Sequence, residues 1–320
     1  MKLRINENIR FEESGVETLA KFPNGFQARL AKEMMLLIRA FDTPNEVAEA
    51  RAAIGGSIDK FDLRVSKLQD LVILVPDDKE TAPWPLPFDL LIDQDPRFRD
   101  ALRQVRGYTM STPELCYALF QAIEHIRTSE VDGAIVESGV WRGGNVALCA
   151  LALLASGDAS RDLYLFDTFD WSWPDLTQWD TKYGQGTAAE RNAALKKRRN
   201  APQEFLDAQG VSETNVRDFI VDTGYPSEKI HTIKGFVQDT IPENAPEKIA
   251  LLRLDTDMYD STYHELVHLY PRLVSGGILF IDDYPTEHGC VKAVEQYFSE
   301  AGSRPFLSRI DTQGRIAVKP

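Results

Sequence analysis

Two aspartate pairs carry the most chemistry in this sequence: Asp255 and Asp257 in KIALLRLDTDM, and Asp282 and Asp283 in GGILFIDDY. Each pair ends a short apolar run, residues 249–254 (broken only by Arg253) and 278–281, without polar alternation. Such runs suit strands covered on both faces of a parallel sheet. Between them Tyr263, Leu266, Val267, Tyr270 and Leu273 mark one face of a helix. A right-handed crossover then puts both strands in one sheet with their carboxyl ends on the same edge. Asp255 and Asp282 become neighbours although 27 positions separate them. Carboxylates meeting there need a positive partner, and a hard divalent cation such as Mg²⁺ prefers their oxygens. Asp257 or Asp260 can alternatively cap the following helix.

Other strand ends carry further candidates. Residues 134–140 (AIVESGV) read as a strand running into WRGGNVALCALALLA, a glycine-bearing turn that opens an apolar helix. Gly139, Gly143 and Gly144 let a ligand approach the backbone at a helix N-terminus. The pattern is not G-x-G-x-x-G, and Glu137 repels a pyrophosphate while suiting a cationic amino group. The next strand, 163–166, ends at Asp167, placed to accept hydrogen bonds from ribose hydroxyls. An NAD-dependent dehydrogenase shares that last feature. Residues 230–235 form a third strand. Thr112-Pro113 starts a helix running to about 126, and PFLSRI with RIAVKP closes the chain as a hairpin. Together these predict an α/β fold: a seven-stranded, mostly parallel sheet with one reversed strand and helices on both faces.

Residues 1–104 are expected to form a mainly helical extension serving as an oligomer or lid contact, with 105–320 as the main domain. Leu30, Met34, Leu37, Ile38 and Phe41 suggest a helical stripe, and 71–75 a short strand. A proline-rich connection carrying Trp84 and Phe88 follows. Residues 170–225 read as a lid-like insertion, with Trp171, Trp173 and Trp179 and the basic run 196–199. The net charge of −13 argues against nucleic acid or an anionic membrane as partner. Cys116, Cys149 and Cys290 are scattered, which fits a reducing compartment. The longest apolar run, 146–155, is too short to cross a bilayer, and no signal peptide is visible. A cytoplasmic protein is expected. His264-Glu265-Leu266-Val267-His268 spells the H-E-x-x-H zinc pattern, with no third ligand at a convincing spacing.

VESGVWRGGN, LFDTFD, KGFVQDTIP, LLRLDTDMYDSTYHEL, LYPRLVSGGILFIDDY and GCVKAVEQY occur in this order. In this the chain resembles the macrocin O-methyltransferase (TylF-like) family over about residues 107–310. That family methylates sugar hydroxyls on antibiotics such as macrolides and aminocoumarins. The resemblance implies a class I methyltransferase fold, S-adenosylmethionine, Mg²⁺, a small-molecule acceptor and a homo-oligomer. By position, Glu137 and Gly139, with Val140 and Asn145 beside them, hold the methionine end of the cofactor. Asp167 and Thr168 meet the ribose, and Phe236, Val237 and Gln238 the adenine. Tyr108, Thr109 and Met110 close over the cofactor. Asp255, Asp282 and Asp283 are the implied metal ligands, Asp255 also lying against the cofactor. Asp257 is the implied general base, with His288 a second candidate. A sugar diol is the expected acceptor, and an aromatic diol, as in catechol methyltransferases, is the alternative. The family's DSFEGLP-like stretch is replaced by DTFDWSWPD and a longer insertion.

Overall fold

The computed structural model describes residues 2–5, 9–14, 17–21, 27–54, 61–70, 73–77, 95–170, 172–181, 187–199 and 210–320. The chain divides into two compact units, Met1–Gln94 and Asp95–Pro320. The first is mixed rather than mainly helical. Strand β1 (Lys2–Ile5) pairs antiparallel with β5 (Asn45–Glu46) and β6 (Leu74–Pro76). Strands β2 (Arg10–Ser14), β3 (Glu17–Lys21) and β4 (Gln27–Ala31) form an antiparallel meander. Helices α1 (Lys32–Arg39), α2 (Val47–Ile54) and α3 (Phe61–Asp70) complete it. The expected stripe is therefore split. Leu30 lies in a strand, and Leu30, Leu37, Ile38 and Phe41 are buried, so they are core rather than a free contact face. Trp84, Phe88 and Trp171 fall outside the described residues.

The second unit begins with α4 (Pro96–Val105), ten residues before the expected boundary, because Phe98, Ala101, Leu102 and Val105 are buried and α4 packs on the helices that follow. In α5 (Pro113–Thr128), Thr112 caps the Leu115 amide at 3.1 Å. There follow β7 (Ala134–Ser138), α6 (Gly144–Ala155), β8 (Leu163–Asp167), α7 (Ala188–Arg199), α8 (Glu213–Asp222), β9 (Ile230–Lys234), α9 (Val237–Thr240), β10 (Ile249–Leu254), α10 (Tyr259–Leu269), β11 (Leu273–Ile281), α11 (His288–Glu300), β12 (Ser308–Arg309) and β13 (Arg315–Val318). The sheet order is β12-β13-β11-β10-β7-β8-β9. The pairs from β11 through to β9 are parallel, and β13 runs antiparallel to both β11 and β12. This is the expected seven-stranded sheet with one reversed strand. Its carboxyl edge gathers Ser138, Asp167, Leu254 and Ile281 and the loops that follow them. Because α8 packs on α6 and β9 as an ordinary crossover helix, the insertion ends before it.

The buried face of α10 is Thr262, Glu265, Leu266 and Leu269, rotated from the expected one, while Val267 is exposed. Polar Thr262 and Glu265 point inward, which an apolar count misses. Glu265 accepts from Thr256 Oγ1 at 3.2 Å, and His264 Nε2 bonds the Ile241 carbonyl at 3.0 Å. The His264 and His268 rings lie side by side, with centroids 4.4 Å apart, but Glu265 turns into the core and among the described residues no third ligand joins them. Burial pushes the Glu265 carboxyl up to about 8, against its hydrogen bonds to Ser138 and Thr256.

An acid whose folded value exceeds its unfolded one keeps its proton in the folded state between the two. Its contribution is full below the ordinary 4.5 and is lost as pH rises through about 8. Glu265→Gln should therefore flatten the fall in urea midpoint between pH 5 and 8. An undiminished slope in that variant would show that Glu265 is not the titrating group.

Candidate active site

Arg253 is the centre of the acid cluster. It lies in the middle strand of the sheet and is 1% exposed. Its Nη1 donates to Glu137 Oε1 at 2.5 Å and to Asp255 Oδ2 at 2.6 Å, and its Nη2 donates to Asp282 Oδ2. With the Asn145 amide oxygen turned toward it, that oxygen accepts from both Nη atoms at 3.3 and 3.1 Å. The positive partner that the carboxylates required is thus supplied first by the chain itself. The signal was in the sequence: a cation inside an apolar run, in a strand covered on both faces, has to be paired.

The cation does not balance the whole cluster. Burial holds the Asp255 carboxyl well above the usual range despite Arg253, and Asp282, Asp283 and Glu137 add to the rise. Asp257 is raised by burial and by Asp283, with which it shares a hydrogen bond. Asp282 is raised by burial, opposed by Arg253. Glu137 is pushed up to about 7, again by burial. One oxygen each of Asp255, Asp282 and Asp283 lies within 4.8 Å of the other two. Three converging carboxylate oxygens with charge left uncompensated fit a hard divalent cation.

Beside the cluster is a cavity of about 460 Å³ whose wall includes Met110, Gly139, Trp141, Phe166, Asp167, Thr168, Trp173, Phe236, Val237, Gln238, Asp255, Asp257 and Asp283. Gly139 has φ +80°, and a Cβ there would stand 1.9 Å from the Asp255 carbonyl oxygen. The turn can pass the acid loop only as glycine. Asp167 accepts from the backbone N–H groups of Val140 (2.6 Å), Trp141 (3.1 Å) and Phe169 (2.8 Å). It ties the glycine turn to β8 as well as facing the cavity. A larger groove of about 560 Å³ lies at the opposite edge, around Ala134 and Asp162. Ligands of open α/β sheets bind at strand carboxyl ends, so the smaller cavity is the candidate site.

Several expected residues act from behind the wall. Glu137 and Asn145 are buried in the Arg253 network, and one Glu137 oxygen, Oε2, has no hydrogen-bond partner among the described residues. The Val140 side chain is buried, and in the same orientation the Asn145 amide nitrogen donates to Thr109 Oγ1 at 2.9 Å. Tyr108 stacks on Phe219, with ring centroids 3.7 Å apart. Asp282 lies under the cluster, held by Arg253. His288 is exposed and its Nδ1 bonds Thr181 Oγ1 at 2.8 Å, away from the cavity wall. Reasoning from sequence missed Arg253 and, on the wall, Trp141, Phe166, Ser172, Pro174, Val211, Gly235, Thr256 and Ser261.

The sequence model of the macrocin-O-methyltransferase (TylF) family matches residues 90–317. Demethyldecarbamoylnovobiocin O-methyltransferase of Streptomyces niveus is 29% identical over 227 residues, 69% of this chain and 81% of the relative. Mycinamicin III 3''-O-methyltransferase of Micromonospora griseorubida is 31% identical over 208 residues, 65% and 77% of the two chains. The solved O-methyltransferase NovP superposes with a TM-score of 0.56 at 28% identity, covering 67% of this chain and 82% of its own. A dehydrogenase is thereby set aside.

Arg253→Met should lower the free energy of unfolding by about 3–5 kcal/mol, because it strands buried carboxylates without their cation. Arg253→Lys should fall between, since one ammonium cannot reproduce the fork. Urea denaturation at pH 7 measures both, and a wild-type midpoint for Arg253→Met would refute the counter-ion role.

Proposed function

The chain belongs to the macrocin-O-methyltransferase (TylF) family, and on that premise we propose that it methylates a sugar hydroxyl of a glycosylated natural product, with a second hydroxyl beside it and Mg²⁺ at the acid cluster. The enzyme is an S-adenosylmethionine-dependent O-methyltransferase of the class I fold. The observation that carries the finer reading is the cluster itself: three carboxylates able to meet around one ion, at the floor of a cavity the size of a small-molecule site. By their names the relatives above methylate demethyldecarbamoylnovobiocin and the 3''-oxygen of mycinamicin III, and this supports a natural-product acceptor here.

The cofactor brings a sulfonium methyl group, and transfer is an in-line displacement. The chain's task is alignment. The resemblance assigns Glu137, buried behind the wall, to the cofactor's ammonium, and Gly139 lets the methionine end approach the backbone. Asp167 and Thr168 would meet the ribose, and Phe236, Val237 and Gln238 the adenine; these five and Met110 line the cavity. Asp255, Asp282 and Asp283 would hold the metal, which when bound lowers the pKa of a coordinated hydroxyl. Asp257 receives the hydroxyl proton. Its raised pKa makes it a stronger base than an ordinary aspartate once ionised. His288, directed at Thr181, is not the base in this reading.

Calorimetric titration with S-adenosylhomocysteine should show binding that NAD does not reproduce. Asp257→Asn should keep that binding and lose about 10²–10⁴ in kcat. A vicinal-diol glycoside should accept methyl where catechol does not, and excess chelator should abolish turnover. Full activity in chelator would remove the metal from the reading, and methylation of catechol alone would replace the acceptor class.

A further inference from the structure

The insertion after β8 is keyed into the main domain by buried polar groups at one place, the junction of α10 and α11. Helix N-termini leave their first N–H groups without intrahelical partners. Met258 and Glu287, the cap residues of α10 and α11, make no side-chain cap. The insertion supplies both. Asp180 Oδ1 accepts from the Tyr259 amide at 2.7 Å, and the Thr181 carbonyl accepts from the His288 amide at 3.0 Å. Asp180 is 1% exposed, and its other oxygen accepts from Thr177 N and Oγ1, each at 2.7 Å. Arg191, from α7, donates to the Asp180 carbonyl at 3.0 Å and sits 2.9 Å from the buried Glu287 carboxylate. Gly289 makes room, since a Cβ there would lie 2.0 Å from Asp180 Oδ1.

The capped helices begin just after the reacting carboxylates. Asp257 and Asp283 precede them, and both adopt left-handed backbone, with φ of +66° and +54°. Non-glycine residues hold that conformation only where the surroundings over-determine it. We infer that Asp180 and Arg191 are positioning residues for the Asp257–Asp283 pair, and that the insertion fixes the two acid loops against each other by capping the helices that follow them. The insertion is thus a structural part of the catalytic floor and not only a cover. This deepens the proposed function and rests on Asp257 as base.

Hydrogen exchange of the S-adenosylhomocysteine-bound protein tests it without any acceptor. In Asp180→Ala, peptides over residues 257–262 should exchange about tenfold faster together with 172–181, while α6 is unchanged. Turnover should fall on the order of tenfold to hundredfold with KM for S-adenosylmethionine kept. Asp180→Asn, which retains an acceptor for the Tyr259 amide, should recover most of both. Faster exchange confined to the insertion, with kcat intact, would overturn the inference. If Asp180→Ala does not fold, Arg191→Met decides by the same readout: acceleration at 257–262 and 286–290 supports the inference, and acceleration at 187–199 alone refutes it. Full activity of Asp257→Asn would instead remove the base assignment and leave the exchange coupling standing.

Discussion

A single buried cation organises the carboxyl edge of this sheet. Arg253 is opposite Glu137 across the β10–β7 pairing, two residues before Asp255 on its own strand, and within reach of Asp282 beyond β11. The register is therefore also an electrostatic constraint. A one-residue slip of β10 would send the guanidinium to the other face of the sheet and leave Glu137 and Asp282 buried without it. Apolar burial supplies the bulk of the stability through Val136, Leu252, Leu254, Leu279 and Ile281. It does not by itself choose among registers of uniformly apolar strands, and the Arg253 contacts do.

That arrangement explains what reasoning from sequence could reach. The runs at 249–254 and 278–281 are apolar on both faces, so parallel pairing and convergence of Asp255 with Asp282 followed from elementary rules. So did the cap at Thr112 and the closing hairpin. The need for positive charge at the edge was legible too, and its first source stood in the same run, but Arg253 read as an interruption of a strand rather than as its purpose. The buried face of α10 was misplaced for a related reason. Thr262 and Glu265 are polar and point inward, where Ser138 and Thr256 meet Glu265. Polar burial of this kind is decided by partners distant in sequence, which periodicity does not see. In the first unit, short strands such as Arg10–Ser14 carry too many charged residues for an apolar alternation to show.

The insertion marks the same boundary more sharply. Its aromatic, turn-rich composition announced something unusual after β8. What attaches it is a set of bonds between positions 79 and 107 residues apart, Asp180 to Tyr259 and Thr181 to His288. Neither residue stands out by type, since a single aspartate or threonine in a loop is ordinary. Only the missing caps at Met258 and Glu287 give them meaning, and those depend on where two helices begin.

The site as a whole is preorganised against its own stability. Two aspartates sit in left-handed backbone, and several acids are buried far enough to raise their pKa values. Each costs free energy that packing elsewhere must offset. Arg253 relieves the part of that cost lying between Glu137, Asp255 and Asp282, and its bonds to Asp255 and Asp282 run through the Oδ2 atoms. Asp257 and Asp283 lie outside its reach and share a hydrogen bond with each other. The unrelieved charge is therefore concentrated on the cavity side, where the proposed Mg²⁺ and the acceptor hydroxyl would bring positive charge and a proton. In this reading the fixed cation holds the acids together from behind, and the exchangeable partners are drawn to the face it leaves uncompensated.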